Sequence, residues 1–150
     1  RIMVSFIGEY SARIDDKGRM VFPSAFKAQL PPGNMELIVK KSLYSPCLEV
    51  YTLEEWQRRS GEVRSKLNFF DPDDQAFWRT FTDRMDDVVP DAKLGRITIS
   101  RKLLNEIGAD KEVVFSGNDF MIEIWAKEKF KDSRLPQDKF ITIAKSLSKR

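Results

Sequence analysis

Short β-like apolar runs, each closed by glycine, proline or aspartate, occupy both ends of this chain, and helical periodicities fill the space between them. Residues 6–14 (Phe-Ile-Gly-Glu-Tyr-Ser-Ala-Arg-Ile) read as a strand interrupted at Gly8. Asp15-Asp16-Lys17-Gly18 is a turn, with a glycine free to take positive φ. Arg19-Met20-Val21-Phe22 resumes as a strand. Pro23-Ser24 opens a short helix carrying Phe26 and Leu30, which Pro31-Pro32-Gly33 stops. Met35 to Val39 and Cys47 to Tyr51 read as two further strands, joined by a loop containing Pro46.

The same order returns between about Arg84 and Lys127. Lys93-Leu94-Gly95-Arg96-Ile97-Thr98-Ile99-Ser100 matches residues 16–23 around the Gly-Arg pair. Ser100 caps a short helix with Leu103, Leu104 and Ile107, and Gly108 ends it. Glu112–Phe115 and Phe120–Trp125 are strands about the turn Gly117-Asn118-Asp119. The two copies are offset by 77 residues at Gly-Arg and by 74 at the last strand, where Leu48-Glu49-Val50-Tyr51 answers Ile122-Glu123-Ile124-Trp125. A unit this short buries too little surface to be stable alone. Two of them, interleaved about a pseudo-twofold axis, would close one β-barrel and remove exposed strand edges. The expected architecture is α+β, mainly β: 1–52 a first repeat, 53–83 a helical linker, 84–127 a second repeat, 128–150 a helical tail.

Two helices are predicted in the linker. Thr52 and Glu55 form a capping box ahead of Leu53, Trp56, Val63 and Leu67. Asp71 and Pro72 open a second helix with Phe77, Phe81 and Met85 at i, i+4, i+8. The pair is expected to pack on the barrel. In the tail, Phe140, Ile143, Ala144 and Leu147 form a helical stripe, expected to pack on its own domain.

Composition narrows the chemistry. The 150 residues contain no histidine and one cysteine. Ser-His-Asp and Cys-His catalysis, His-ligated zinc, an internal disulfide and multi-cysteine clusters are therefore excluded within one chain. No apolar run reaches membrane-spanning length, and residues 1–10 lack the apolar core of a secretory signal. A reduced, cytoplasmic setting is expected. Met3 is read as the native start. The net charge is only +3, but its distribution is uneven: +2 over residues 1–52, −4 over 53–92 and +5 over 93–150. An anionic partner should meet the ends.

Arg13, Lys17 and Arg19 surround the first turn, and Lys93 and Arg96 the second, with Arg101 and Lys102 nearby. One such hairpin reads first as a solvated turn with an internal Asp15–Arg19 pair. Two related turns that both keep Gly-Arg point instead to phosphate contacts and to bidentate reading of guanine by arginine. Two rival sites are weaker. Asp71, Asp73 and Asp74, or Asp86 and Asp87, would suit Mg²⁺ and phosphoryl chemistry, but helix capping already accounts for Asp71 and Asp74 and no phosphate-binding glycine motif accompanies them. Cys47 reads as a small buried hydrophobe. No cofactor or metal is expected.

The stretch Phe6-Ile7-Gly8-Glu9-Tyr10, then Asp15-Asp16-Lys17-Gly18-Arg19-Met20-Val21-Phe22-Pro23, resembles the N-terminal half of the MraZ family. So does Ser45-Pro46-Cys47-Leu48-Glu49-Val50-Tyr51 followed by Trp56, while Leu94-Gly95-Arg96-Ile97 and the strand 120–125 resemble the second half. The resemblance covers about residues 4–130. It implies an AbrB-like swapped-hairpin barrel, assembly into rings, and a transcriptional regulator, nucleoid-associated, that binds direct repeats in promoter DNA of the bacterial division and cell wall gene cluster. The family signature is Asp-x-x-x-Arg in each repeat. Asp15 and Arg19 carry the first. In the second, Arg96 matches but Ala92 stands where aspartate belongs, and the nearby acid is Asp91, so that turn is expected to be looser or shifted by one residue. Arg19 is the candidate for base or close phosphate contact, and Arg13, Lys17, Lys93 and Arg96 for phosphate. Asp15, Gly18 and Gly95 are assigned to turn geometry. The alternative is an oligomeric protein-binding scaffold or antidote on the same fold.

Overall fold

The computed structural model describes residues 4–150; Met3 lies outside them. Eight strands and six helices follow in the order β1 Glu9–Arg13, β2 Arg19–Val21, α1 Ser24–Lys27, β3 Leu37–Lys41, β4 Cys47–Thr52, α2 Leu53–Ser65, α3 Pro72–Phe81, β5 Asp86–Val88, β6 Arg96–Thr98, α4 Arg101–Glu106, β7 Glu112–Asn118, β8 Met121–Ala126, α5 Lys127–Phe130 and α6 Gln137–Leu147, with one 3-10 turn at Lys131–Ser133. The class is α+β, mainly strand. The predicted caps form: Thr52 accepts from the Glu55 N–H, Asp71 from Asp73, and Ser100 from Leu103.

Six strands make an antiparallel sheet in the order β1-β7-β8-β4-β3-β5, and β2 and β6 pair separately as a two-stranded ribbon. The middle of the sheet is Glu49 opposite Glu123, and the middle of the ribbon is Met20 opposite Ile97. These pairs are 74 and 77 residues apart, the two offsets of the sequence pattern. The outer pairings also exchange partners between halves, with β1 on β7 and β5 on β3.

Two expectations about this scaffold are corrected. The barrel does not close, because the hydrogen-bonded ladder ends at β1 and at β5. Nor do β1 and β2 form a hairpin. After the bond from the Asp15 N–H to the Arg19 carbonyl the chain turns a corner, and β2 crosses to β6. The reason is burial. Met20, Phe22, Ile97 and Ile99 are each 1% exposed and carry the ribbon onto the sheet's inner face.

That inner face is the main core. Leu37, Val39, Leu48, Val50, Ile122 and Ile124 meet Phe26 from α1 and Leu103, Leu104 and Ile107 from the α4 region. Edge-on contacts of Phe26 with Phe6 and Tyr10, and of Phe22 with Phe115, lie 5.1–5.8 Å between centroids. Each is worth about 0.5–1.5 kcal/mol beyond area burial. The outer face carries a smaller cluster of Ile38, Tyr51, Trp56 and Met121, joined by Phe81. Trp56 of α2 stacks on Phe81 of α3 at 5.9 Å, so the linker helices do pack on the sheet. The tail does not: α6 buries no residue. Every residue of α6 is exposed, so the stripe is not buried by the other described residues.

Candidate nucleic-acid interface

The ribbon has one buried and one outward side. Strand alternation sends Met20 and Ile97 inward and leaves Arg19, Val21, Arg96 and Thr98 on the other face. Arg19 stands opposite Thr98, and Val21 opposite Arg96. The two arginines are therefore diagonal neighbours on one exposed face, roughly 7–8 Å apart by ladder geometry and somewhat closer at Cβ.

Each arginine is anchored to its turn in the same way. In the first turn, Asp15 Oδ1 accepts from the N–H of Lys17 and of Arg19, both at 2.9 Å, and Oδ2 accepts from Arg19 Nε at 2.6 Å. In the second, Asp91 Oδ1 accepts from Lys93, Leu94 and Gly95 at 2.7–3.1 Å, and Oδ2 accepts from the Arg96 N–H at 3.3 Å and from Arg96 Nε at 3.2 Å. Asp91 thus fills the role of Asp15 from one position further upstream, and the extra residue is Leu94, 60% exposed. The second turn is both shifted by one residue and looser, its arginine bond being longer by more than half an ångström. Ala92 leaves no gap because the clamp has moved.

These bonds hold both carboxylates far down the acid range. The N–H of Arg19 is the chief cause at Asp15 and the N–H of Leu94 at Asp91, and each carboxyl is lowered from 3.8 to about 2. At neutral pH both are ionised clamps. Because the clamp takes Nε, the terminal nitrogens of Arg19 and Arg96 donate to no protein group among the described residues. Their side chains are 36% and 33% exposed. A guanidinium held at Nε and open at its two η nitrogens is pre-oriented for a planar, bidentate acceptor.

The turns are also tied across the ribbon. The Gly18 carbonyl accepts from the Ile99 N–H at 2.9 Å, and the Gly95 carbonyl accepts from the Phe22 N–H at 2.8 Å. Both glycines have left-handed φ, +79° and +68°. Lys17 and Lys93 are exposed, without an ion-pair partner among the described residues, and Arg101 and Lys102 open α4 on the surface just past β6.

Arg13 is not brought to this group. It ends β1 opposite Glu112 and lines a pocket with Asp110, Lys111, Lys127 and Glu128, a cluster of mixed charge. The acids weighed as a metal site are dispersed by their backbone partners. Asp71 accepts from Asp73, Asp74 from Asn68, and Asp86 from Ser100. Cys47 is buried, and burial first, with Glu123 and Glu49, pushes its thiol up to about 12. Sequence reasoning missed Val21 and Thr98 as members of the exposed face. The signal was present in the period-two spacing from each arginine.

The comparisons with known proteins agree on one family. The model of a family described as "MraZ protein, putative antitoxin-like" matches residues 5–80 and 86–148. Among curated relatives, the "Transcriptional regulator MraZ" of Bacteroides fragilis is 36% identical over 128 residues, covering 85% of this chain and 80% of that one. The protein of the same name in Bacteroides thetaiotaomicron is 34% identical, covering 92% and 88%. That of Acetivibrio thermocellus is 38% identical, covering 83% of each. With both turns inside the matched segments, the chain belongs to the MraZ family.

Proposed function

We propose that this protein is a sequence-specific, DNA-binding transcriptional regulator, without enzymatic activity, that inserts the β2–β6 ribbon into the major groove. The observation that carries the reading is the pair of arginines on one face of a two-stranded ribbon, each clamped at Nε and open at its η nitrogens. The major groove admits a two-stranded ribbon, and the commonest specific contact there is arginine to guanine O6 and N7. Arg19, with the shorter clamp, reads a base edge. Arg96, Lys17 and Lys93 contact phosphate, and Arg13 contributes at most from the periphery. Asp15, Asp91, Gly18 and Gly95 set the turn geometry.

The finer reading follows the resemblance. Residues 1–52 and 84–127 are two AbrB-like repeats that exchange strands, and the helices of 53–83 and the tail of 128–150 are additions to that frame. The symmetric pairing offsets support it. Copies assemble, in a ring, so that several ribbons meet direct repeats in the promoter of the division and cell wall cluster, and weak contacts add through effective concentration. The protein works in the cytoplasm on the nucleoid; among the described residues no helix is long and apolar enough to cross a membrane.

The test is salt-titrated binding of the full chain to duplex from its own promoter and to a shuffled duplex. Wild type should prefer the promoter and lose affinity steeply with salt. Arg19→Ala should abolish the preference. Equal binding by wild type and Arg19→Ala refutes the site and favours the protein-binding antidote, for which the ribbon is only a rim.

A further inference from the structure

The outer face of the sheet carries a hollow that the DNA reading does not use. Strand β3, the loop after it and α3 line two adjoining spaces of about 380 and 140 Å³, which share Lys40, Leu43, Phe77 and Phe81. The larger has the volume of a small-molecule site. Phe77 and Phe81 stack with their centroids 5.6 Å apart and give it an aromatic wall, to which Leu43 adds.

Lys40 sits where the two spaces join. Lysine is almost never buried unless paired, yet this one is only 5% exposed. Its Nζ lies 4.5 Å from the centre of the Phe81 ring and donates to the Lys41 carbonyl at 2.9 Å. An ammonium has three hydrogens to donate. Among the described residues the other two meet no second acceptor, and no carboxylate comes within ion-pairing distance. Glu49 stands opposite on β4, but its carboxylate accepts from the Tyr51 hydroxyl at 2.7 Å. Burial is the chief force holding the Lys40 pKa below its ordinary value, with Arg59 and Lys41 adding to it and Glu49 opposing. A buried cation with unused donors is costly, and an anion that reaches it removes much of that cost.

The other cations lining the hollow have partners. Arg84 pairs with Glu106 and Asp83, Lys41 Nζ donates to the carbonyls of Ser42 and Ser45, and Arg59 faces the Tyr51 hydroxyl. One open ammonium beside an apolar wall suits a monoanion with an apolar body. A phosphate ester would ask for more than one open cation.

We propose that this hollow is a binding site for a small aromatic carboxylate, its ring on Phe77 and Phe81 and its carboxylate on the Lys40 ammonium. The site is independent of the DNA reading, and its test contains no DNA.

The experiment is calorimetric titration of the full chain with 2-naphthoate and with its neutral counterpart, 2-naphthalenemethanol. Wild type should take up one naphthoate per chain and bind the alcohol about 10- to 100-fold more weakly, the worth of one hydrogen bond to a charged group. Lys40→Met keeps an apolar stem on Phe81 and removes the charge. It should bind naphthoate as weakly as the alcohol and leave the alcohol's affinity unchanged. Phe77→Ala alters a side chain that is 40% exposed and should weaken both probes. Phe140→Asp, on the exposed stripe of α6, should change neither. Circular dichroism verifies that each variant is folded. Absence of saturable naphthoate uptake, equal affinity for the two probes, or wild-type naphthoate binding by Lys40→Met overturns the proposal. Loss of naphthoate binding in Phe140→Asp places the probe on α6 and overturns it as well.

Discussion

The two turn glycines match by position, but replacing them by alanine should have unequal cost. Gly18 and Gly95 share a left-handed φ, and alanine there costs roughly 1–2 kcal/mol at either site. The surroundings differ. A Cβ on Gly18 would lie 2.4 Å from the carbonyl oxygen of Ile99, a backbone atom whose residue is itself bonded to the Gly18 carbonyl. Neither side can give way without breaking the tie between the ribbon strands, so overpacking adds about 1–3 kcal/mol. A Cβ on Gly95 would meet only the flexible end of Lys27, at 3.6 Å. The loss of unfolded-state freedom, about 0.4–1 kcal/mol in favour of alanine, applies to both and cancels in the comparison. Before that offset, Gly18→Ala should lose about 2–5 kcal/mol and Gly95→Ala about 1–2 kcal/mol, so these figures are upper values for each site. Urea unfolding at one fixed protein concentration measures this. With m near 2 kcal/mol/M, the midpoints fall by about 1–2.5 M and about 0.5–1 M. Asparagine, which tolerates positive φ, should rescue position 95 and not position 18. Equal losses at the two sites would refute the assignment of Gly18 to a close backbone approach.

Three further outcomes are expected. Asp15 and Asp91 are lowered to about 2, so their contribution to stability is present above their ordinary 3.8 and disappears as pH falls from about 4 to about 2. Melting temperature against pH should be steeper in that window for wild type than for Asp15→Asn/Asp91→Asn, and identical slopes would contradict the clamp. Arg19→Lys should keep the salt dependence of promoter binding while lowering affinity about 5- to 150-fold, because it retains the charge and loses the fork; an affinity equal to wild type would place Arg19 on phosphate. Cys47, fully buried with its thiol near 12, should resist a maleimide at pH 8 in the native state and react on unfolding.

The local elements were legible in the sequence because their signals are short-range. Asp15-Asp16-Lys17-Gly18-Arg19 encodes a turn in its own side-chain chemistry, and Thr52, Asp71 and Ser100 announce their helices. The second clamp was half legible. Counting four residues back from Arg96 lands on Ala92, whereas a carboxylate also reaches its arginine across one more residue, over a longer bond, when Leu94 bulges outward. Strand β5 was illegible, since Asp86-Asp87 disfavours a strand and the segment is held by its neighbour β3. Closure of the sheet and the fate of the tail depend on contacts distant in sequence or outside the chain. The stripe on α6 specifies an apolar partner without saying whose it is.

The exchange of edge strands has a mechanical consequence. A cut in the loop between α2 and α3 would break one covalent bond and no ladder, because β1 on β7, β5 on β3 and β4 on β8 all bridge the break. The fragments would stay married like two chains of a heterodimer, and neither would keep its edge partner alone.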